Sequence, residues 1–508
     1  MSKPVNLATY FVDRHVEEGR GARTALLCGE KTVSYAELAK LVNRIGHVLR
    51  DAGVRSGQRV LLALSDGEEF VATWYAAQKI GAVTAEVYPF LQPKDYAYYL
   101  RYTEAVVVIA DAVTLPALRE AGARNLLVTD VPPEELLPGE RPLRTLAAEA
   151  SDELAPAPTT VDDVGIWKFT TGSTGSPKAC VHPLRSPVES FERYALGVLG
   201  LREDDRILAV PKLFFGYARD LVALFPFGVG ATGIVFPQRT TADLIFELIA
   251  RHRPTVLVNV PTMMSAMIAH PAASEQDLSC LRLTTSAGEA LPPELHRKWD
   301  AAFGVPVVDG IGSSEAYHIY LSNRPGEARY GSLGREVPGY TAQVVDETGN
   351  PLPDGEIGPL RITGPTIALE YYGDAEKSAK TFDGDTLTSG DLFSRDTGGF
   401  YHHHGRADDL LKVGGVFVAP GEIEDCLLGH PDVADCAVLG TTVDGLVLPR
   451  ACVVLRPGAT VEPQALKDFA RAHLAKHKYP REVVFVTELP RTANGKLDRR
   501  ALRAMAGS

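Results

Sequence analysis

Hydrophobic residues in the first third of the chain alternate between two spacings. Behind the sequence SYAE at 34–37, a capping box that starts helices, apolar residues follow at helical spacing: Leu38, Leu41, Val42, Ile45, Val48 and Leu49. The continuous apolar run 60–64 then predicts a buried strand, 69–81 a helix, and 82–87 and 105–110 two further strands. This alternation predicts α/β units around a largely parallel sheet.

The remainder of the chain shows three patterns of apolar and polar residues, one after the other. Short apolar runs continue the α/β pattern at 206–210, 255–259, 281–286 and 305–308, and 221–236 is interpreted as a buried strand and turn. From about residue 340, alternating segments with turn signals predict hairpins in a small β-rich subdomain. The last hundred residues predict a compact α+β unit with helices at 421–430 and 463–474 and strands at 451–455 and 483–486. We therefore expect an α/β protein with a large N-terminal domain, residues 1–406, and a small mobile C-terminal domain, residues 407–508.

Composition narrows the function classes. A chain of 508 residues is too long for one core and predicts two to four domains. The net charge of −12 argues against a nucleic-acid or anionic-membrane partner. The N-terminus lacks the apolar run of a secretory peptide, and 221–236 is too short and too interrupted to span a bilayer. We expect a cytoplasmic protein.

The positions of the cysteines and histidines do not predict a metal site. The six cysteines are scattered without close pairing, which disfavours a disulfide framework and a zinc centre. The three consecutive histidines at 402–404 point in different directions, and no second ligand cluster accompanies them, so they do not predict a metal centre either.

The segment TTGSTGSPK at 170–178 is the first one that indicates chemistry. Gly172 and Gly175 permit close backbone approach, the hydroxyls of this segment can donate to anionic oxygens, and Lys178 adds positive charge. The segment is a candidate phosphate cradle, although it lacks the P-loop spacing G-x-x-x-x-G-K-[ST]. A flexible linker is the alternative interpretation.

This segment also has the pattern [ST]-[ST]-G-[ST]-T-G-x-P-K, and further signatures follow it in a fixed order: SAGEALP at 286–292, GIGSSE at 310–315, LTSGD at 387–391, GRADDLLKVGG at 405–415, PGEIE at 420–424 and PRTANGK at 490–496. Together they resemble the acyl-adenylate-forming enzymes, which include acyl-CoA synthetases, peptide-synthetase adenylation domains and firefly luciferase. The resemblance implies the adenylate-forming fold and extends over most of the chain from residue 170. It implies ATP and coenzyme A as co-substrates and Mg²⁺ as the metal.

The resemblance assigns roles to individual residues. Lys496 would bridge the substrate carboxylate and the α-phosphate in the transition state, with Glu315 as the Mg²⁺ ligand beside Ser314, whose hydroxyl keeps a phosphate contact. Asp391 would bind the ribose hydroxyls with help from Arg406. The nucleotide would lie against a larger set of residues: Thr170, Thr171, Gly172, Ser173, Thr174, Gly175 and Lys178 at the phosphates, and Gly288, Glu289, Ala290, Asp309, Gly310, Ile311 and Gly312 at the adenine.

The family performs two half-reactions at one site by rotating its C-terminal domain. Asp408 matches the hinge, which must absorb a large backbone change. The segment KVGG at 412–415 matches the strand that lines the thiol tunnel, with Lys412, Gly414 and Gly415 as its residues. Acylation of Lys496 would neutralise its charge and switch off adenylation.

Two departures from the family pattern concern the nucleotide. Ile311 stands where an aromatic residue is usual, as does Leu387, which leaves adenine stacking in doubt but not nucleotide binding. The sequences at 309–326, 212–221 and 258–264 nevertheless resemble the benzoate-CoA ligase branch. By that resemblance Phe215, Gly216, Tyr217, Ile311 and His318 border a pocket for a flat aryl acid.

Several alternatives stay open at this point. Benzoate, salicylate and 2-aminobenzoate are not separated, since Tyr217 and His318 can each hydrogen-bond a ring substituent. The leading hypothesis is an aryl acid-CoA ligase; the alternatives are an enzyme that loads the aryl group on a carrier protein, and a non-catalytic nucleotide sensor. Oligomeric state is open, a homodimer included.

Overall fold

The computed structural model describes residues 2–170, 176–406, 411–413, 416–443, 446–475, 478–491 and 497–506. In chain order its strands are β1 Thr24–Cys28, β2 Lys31–Ser34, β3 Arg59–Ala63, β4 Val83–Glu86, β5 Val107–Ala110, β6 Leu126–Val128, β7 Glu140–Pro142, β8 Val164–Thr170, β9 Lys178–Pro183, β10 Arg206–Ala209, β11 Thr232–Val235, β12 Val256–Asn259, β13 Leu283–Ser286, β14 Val307–Gly312, β15 Ile319–Ser322, β16 Arg335–Glu336, β17 Thr341–Val344, β18 Gly358–Thr363, β19 Glu370–Tyr371, β20 Phe382–Asp383, β21 Thr386–Arg395, β22 Tyr401–Arg406, β23 Leu411–Val413, β24 Val416–Val418, β25 Val433–Val443, β26 Leu446–Leu455 and β27 Glu482–Phe485.

Its α-helices are α1 Arg14–Glu17, α2 Tyr35–Asp51, α3 Glu68–Lys79, α4 Pro93–Thr103, α5 Leu115–Glu120, α6 Leu143–Glu149, α7 Arg185–Ser190, α8 Gly216–Ala223, α9 Phe225–Val229, α10 Ala242–His252, α11 Pro261–Ile268, α12 Pro293–Phe303, α13 Ala375–Thr381, α14 Pro420–Leu428, α15 Pro463–His473 and α16 Arg499–Ala506. Two π-helical turns lie at Thr9–Asp13 and Phe191–Leu196, and 3₁₀ turns at Pro133–Glu135 and Ala273–Glu275. None of the described helices is both long enough and apolar enough to cross a membrane.

Two large sheets and a five-stranded sheet of β17, β18, β20, β21 and β22 form the N-terminal part. Within the described residues one sheet has nine strands in the order β16-β15-β14-β13-β12-β10-β11-β1-β2, and the other has eight in the order β19-β9-β8-β4-β3-β5-β6-β7. Central strands such as β3 run parallel to both neighbours and are buried on both faces, which explains the continuous apolar run of the sequence. The main hydrophobic core packs between these sheets and their helices.

The helix starts follow local chemistry. Ser34 caps α2 by accepting a hydrogen bond from the Glu37 amide, and the Glu37 carboxylate accepts one from the Ser34 amide, so the predicted capping box is present. Proline occupies the first turn of α4, α11, α12 and α15, where its missing N–H needs no partner. The predicted helices α2 and α15 carry these signals, and their N-terminal limits agree with the prediction.

One predicted segment has a different secondary structure. Segment 221–236 was expected to be a buried strand and turn, but it contains the end of α8, the short helix α9 and then β11. Both helices are buried almost all round, so their sequence lacks the polar face that would reveal a helix. Gly230, with φ of 78°, ends α9 in the left-handed conformation.

The last part of the chain has its own core. The strands β25, β26 and β27 form a sheet that carries α14 and α15, and the hairpin β23-β24 lies beside it. The hydrophobic cluster there is built from residues between Leu411 and Val483 only. The strand β25 and the hairpin were not predicted; the division at residues 406 and 407 stays a prediction.

Candidate functional site

The phosphate-loop candidate joins two paired strands. Thr170 ends β8 and Lys178 begins β9, and the two residues face each other across the antiparallel pair. The Lys178 ammonium contacts the carboxylate of Asp374, whose pKa this hydrogen bond lowers. Asp374 also caps α13 by accepting from the Lys377 amide at 3.1 Å. Both ends of the loop are therefore fixed, while its predicted residues lie outside the described residues: Thr171, Gly172, Ser173, Thr174 and Gly175.

The predicted adenine slot lies where two neighbouring parallel strands end. Ser286, the last residue of β13, pairs with Asp309 in β14. The loop after β13 carries Gly288 and Ala290, both exposed, while Gly310, Ile311 and Gly312 continue β14. Ligands of open α/β sheets bind at such carboxyl ends. The structure therefore brings the two predicted segments together.

Glu289 is engaged by its neighbours. Its Oε2 accepts hydrogen bonds from the amide of Thr262 at 3.0 Å and from the Thr262 hydroxyl at 2.6 Å, at the first turn of α11. The carboxylate thus ties the loop after β13 to α11. On the other side, a Cβ built on Gly288 would lie 3.8 Å from the Phe215 ring, so the slot adjoins the expected aryl pocket.

Asp309 is a buried carboxyl group. Only 5% of the residue is exposed, and burial raises the pKa to about 8, against the opposing effects of Ser286 and the Gly310 amide. Its Oδ1 makes no hydrogen bond of normal geometry to a described residue. At neutral pH the group is therefore mostly a neutral acid, which can donate as well as accept a hydrogen bond.

Glu315 and Ser314 lie in the turn after β14. The Ser314 hydroxyl donates to the Phe169 carbonyl at 3.1 Å, which ties this turn to β8 next to Thr170. The Tyr371 hydroxyl donates to Glu315 Oε1 at 2.8 Å. In the described residues Glu315 Oε2 has no hydrogen-bond partner, so one carboxylate oxygen remains able to bind a cation.

Asp391 and Arg406 face each other across β21 and β22. The Arg406 Nε lies 3.4 Å from Asp391 Oδ1, and both side chains are partly exposed. Both carboxylates act on the buried Tyr320: burial first, then the charges of Asp391 and Glu315, raise its pKa. Asp391 and Glu315 are therefore within electrostatic range of the same side chain, and their membership of one site stays a prediction.

The expected aryl-pocket residues meet at the start of α8. Tyr217 is buried, and its hydroxyl lies 2.6 Å from the Thr285 hydroxyl. The Tyr217 ring centroid lies 6.2 Å from that of Phe215 and 5.8 Å from that of His318. Ile311 is half-buried against the same core. Gly216, the first residue of α8, completes the set.

His318 is neutral. Burial lowers the pKa of its imidazole to about 3, and the smaller effect of Asp220 opposes that shift. Neither ring nitrogen makes a hydrogen bond of normal geometry to a described side chain. One nitrogen therefore remains an acceptor and the other a donor inside a buried aromatic cluster.

Three residues that were not predicted contact Tyr217 or His318. The rings of Tyr194 and Phe225 lie 5.3 and 4.9 Å from His318, and Thr285 fixes the Tyr217 hydroxyl. No motif marks these residues: Tyr194 comes from a π-helical turn and Phe225 from a short buried helix. The run of hydroxyl residues in the buried strand β13, LTTS, was the one available signal for Thr285.

Much of the predicted C-terminal machinery lies outside the described residues: Asp408, Gly414, Gly415 and Lys496. Lys412 belongs to β23, and its side chain is not described. Arg491, five residues before Lys496, donates to Asp435 at 2.8 Å and to the Thr262 hydroxyl at 3.4 Å. The start of the 490–496 motif therefore lies against the α11 end of the adenine slot.

Two family descriptions match this chain. The AMP-binding enzyme family matches residues 12–372, and the AMP-binding enzyme C-terminal domain matches residues 422–496. The chain belongs to the AMP-binding enzyme family. The predicted recognition as an adenylate-forming protein is thereby confirmed.

Relatives of this AMP-binding enzyme extend over its whole length. It is 39% identical to the benzoate--CoA ligase of Thauera aromatica, over 98% of this chain and 96% of that protein. The crystal structure of the anthranilate CoA ligase AuaEII in complex with anthranoyl-AMP matches 100% of this chain and 98% of its own, with a TM-score of 0.95 and 35% identity. A benzoate CoA ligase from Burkholderia xenovorans LB400 matches 98% of this chain and 100% of its own, with a TM-score of 0.90 and 37% identity. These matches confirm the predicted fold and the resemblance to the benzoate-CoA ligase branch.

Proposed function

We propose that this AMP-binding enzyme is an ATP-dependent aryl acid-CoA ligase. It activates a small aromatic carboxylate as acyl-AMP, releases pyrophosphate, and then transfers the acyl group to CoA as a thioester. One observation carries the proposal: an aromatic cluster of half-buried Phe215 with buried Tyr217 and His318 directly adjoins the Gly288 side of the nucleotide slot. The relatives, named benzoate and anthranilate CoA ligases, support it.

In the first half-reaction a carboxylate oxygen attacks the α-phosphorus of ATP, and the bond from that phosphorus to the β-phosphate oxygen breaks. Lys496 would stabilise the charge that develops on the phosphorus, because a fixed cation there contributes more in the transition state than in the ground state. Asp391 would accept hydrogen bonds from the ribose hydroxyls and Arg406 would hold Asp391 in place. Thr170, Lys178 and the loop between them would hold the departing phosphates.

Mg²⁺ fits the turn at Glu315. Its carboxylate is fixed at one oxygen by Tyr371 and has its other oxygen available, and hard oxygen ligands together with phosphates suit this ion. When bound, the ion would neutralise phosphate charge. The Ser314 hydroxyl donates to the Phe169 carbonyl and so fixes the turn, while its expected contact with phosphate stays a prediction.

In the second half-reaction the CoA sulfur attacks the acyl carbon, the thiol proton is lost, and AMP leaves. We assign this step to a second position of the C-terminal domain, residues 407–508, reached by rotation at Asp408, with Lys412, Gly414 and Gly415 along the thiol path. The acceptor is what separates the leading proposal from the carrier-loading alternative. A nucleotide sensor is the least favoured alternative, because a sensor needs no residue in the position of Lys496.

The pocket favours a ring over an alkyl chain. Its walls are aromatic or β-branched, and the neutral His318 offers one donor and one acceptor. A substituent that hydrogen-bonds His318 would gain selectivity over unsubstituted benzoate, since an unpaired buried polar group costs free energy. Benzoate, salicylate and 2-aminobenzoate are therefore the acids to compare.

The test is a pair of assays on the purified enzyme. ATP–pyrophosphate exchange is measured with each of the three acids and with a medium-chain fatty acid, and CoA is then added and thioester formation followed. Exchange with an aryl acid and thioester formation with free CoA are expected. Exchange without thioester formation would favour the carrier-protein acceptor, and no exchange with any aryl acid would contradict the proposal.

A further inference from the structure

Four charged side chains are buried together beneath the pocket. The Lys168 ammonium lies 2.8 Å from Asp220 Oδ2, Arg219 NH2 lies 2.7 Å from Asp220 Oδ1, and Arg219 NH1 lies 2.9 Å from Glu86 Oε1. Each of these side chains is at most 6% exposed. The Trp74 indole N–H donates to Glu86 at 2.5 Å. Two cations and two anions thus balance inside the protein, and we call them the buried charge cluster.

The free energy of folding does not by itself explain a cluster of this kind. Taking charges out of water costs about as much as their attraction returns, and an apolar replacement is often neutral or stabilising. Burial lowers the pKa of Lys168 to about 8 and Asp220 opposes that shift, so the ammonium form predominates at pH 7. What the cluster contacts is therefore more informative than its net energy.

One contact is Tyr317, which lies between Glu315 and His318. Tyr317 has φ of 68°, in the left-handed region that residues with bulky side chains seldom adopt. The Lys168 ammonium donates to its carbonyl at 2.5 Å and lies 3.5 Å from its ring centroid. The Tyr317 hydroxyl is 3.3 Å from both Asp220 and Arg219. The cluster therefore holds this unfavourable backbone conformation at the carbonyl, the ring and the hydroxyl.

The other contact is the first turn of α8. A Cβ built on Gly216 would lie 2.6 Å from the Lys168 ammonium, so the helix backbone packs directly on that group. Asp220 and Arg219 extend from the same helix, one turn after Tyr217. A single ammonium thus contacts both sides of the pocket: the α8 turn that carries Tyr217 and the turn that carries His318.

We propose that Lys168 is a positioning residue that sets the distance between Tyr217 and His318, and with it the selectivity for ring substituents. The inference rests on the proposed function, because it takes these two side chains as part of the wall of the aryl-acid site. Lys168 does not bind the acid itself. It acts through the carbonyl of Tyr317 and the backbone at Gly216.

The test compares two buried lysines. Lys168→Met removes the ammonium and keeps the length of the side chain. Lys79→Met is the matched control, since Lys79 is 4% exposed, lies 2.9 Å from Asp13, and contacts no pocket residue in the described part of the chain. Lys168→Met/Asp220→Asn removes one charge of each sign, so it keeps the cluster neutral and is the variant to use if the single change prevents folding.

The readouts are KM for the aryl acid, KM for ATP, and the ratio of kcat/KM between benzoate and 2-aminobenzoate. For Lys168→Met and for the double variant we expect KM for the acid to rise about tenfold, the ratio to change, and KM for ATP to stay within about twofold. Lys79→Met should lower the melting temperature without changing the kcat/KM ratio or either of the two KM values.

Three results would overturn the inference. The first is an unchanged acid KM and ratio in folded Lys168→Met or in the double variant. The second is an equal rise of both KM values, and the third is the same kinetic change in Lys79→Met. The wild-type enzyme is assayed first, so that a lack of turnover with every aryl acid would overturn the proposed function itself, and this inference with it.

Discussion

The aryl pocket and the C-terminal domain are built from different interactions. Tyr217 and His318 are buried, and Phe215 and Ile311 pack against the main core of the N-terminal part. The C-terminal domain instead carries partly exposed ion pairs such as Lys478–Glu422 at 2.5 Å, Arg491–Asp435 at 2.8 Å and Arg450–Glu482 at 2.6 Å.

This difference separates two tasks. A packed wall resists changes of shape, so it can select among similar rings. The three ion pairs named for the C-terminal domain join residues of that domain to each other, so they are kept when the domain moves as a unit. The contact of Arg491 with the Thr262 hydroxyl, at 3.4 Å, joins the domain to the N-terminal part, and an exposed hydrogen bond of this kind costs only about 1 kcal/mol to break. We therefore expect changes in the wall to alter substrate choice, and changes in the C-terminal domain to alter one half-reaction at a time.

The largest effect is expected for Lys496→Ala. Adenylation should fall about 10³-fold, because a group aimed at developing charge is lost, while thioester formation from supplied acyl-AMP should be nearly unchanged. The two half-reactions are measured separately, with Lys380→Ala on α13 as the exposed-lysine control. Equal losses in both half-reactions would contradict the assigned role.

Glu315→Gln should have the second-largest effect on activity. Losing the carboxylate should reduce adenylation about 10²-fold and raise the Mg²⁺ concentration needed for half-maximal rate, since a metal contact stabilises the transition state by several kcal/mol. Tyr371→Phe keeps the carboxylate and removes only its hydrogen bond, so it is the control. An unchanged Mg²⁺ dependence in Glu315→Gln would remove Glu315 from the metal site.

Asp408→Pro should stall one half-reaction and not the other. Proline restricts the backbone dihedrals that a hinge must change, and a loss on the order of tenfold corresponds to about 1.4 kcal/mol in activation free energy. Asp408→Ala is the control for the lost carboxylate. If both half-reactions slow equally in the proline variant and not in the alanine variant, the hinge lies elsewhere.

Asp309→Asn is expected to act mainly on the pH dependence of stability and least on the two half-reactions. The pKa of Asp309 is about 8 in the folded protein and 3.8 as the ordinary value, so the folded state binds more protons and stability falls as pH rises from about 4 to 8. Asn does not titrate. The melting temperature of the variant relative to wild type should therefore rise steadily across that pH range, and a constant difference would contradict the buried neutral acid.

The sequence predicted the parts of the fold and site that depend on local patterns. The Ser34–Glu37 capping box, the apolar strand at β3 and the ordered motifs from 170 to 496 are all short segments with their own chemistry. Segment 221–236 was predicted wrongly because helices buried on every side have no polar stripe. The roles assigned to single site residues stay predictions.

The buried charge cluster could not be predicted. Lys168 is 52 residues from Asp220 and 149 from Tyr317, and each was ordinary in its own segment. The left-handed conformation of Tyr317 depends on the contacts that its carbonyl, ring and hydroxyl make with the cluster. Its sequence neighbours, such as Ala316, do not predict a turn. Only the assembled sheets bring these groups into contact.

The pairing of Thr170 with Lys178 constrains the length of the loop between them. Successive side chains of a strand point to opposite faces, so moving β8 by one residue relative to β9 would turn Lys168 away from Asp220 and Tyr317. A one-residue deletion within 171–177 that slides β8 would therefore alter the ring pocket and the phosphate loop together. The length of this loop therefore affects the binding of both the aryl acid and ATP. Chimeras made with other members of the family should keep that length.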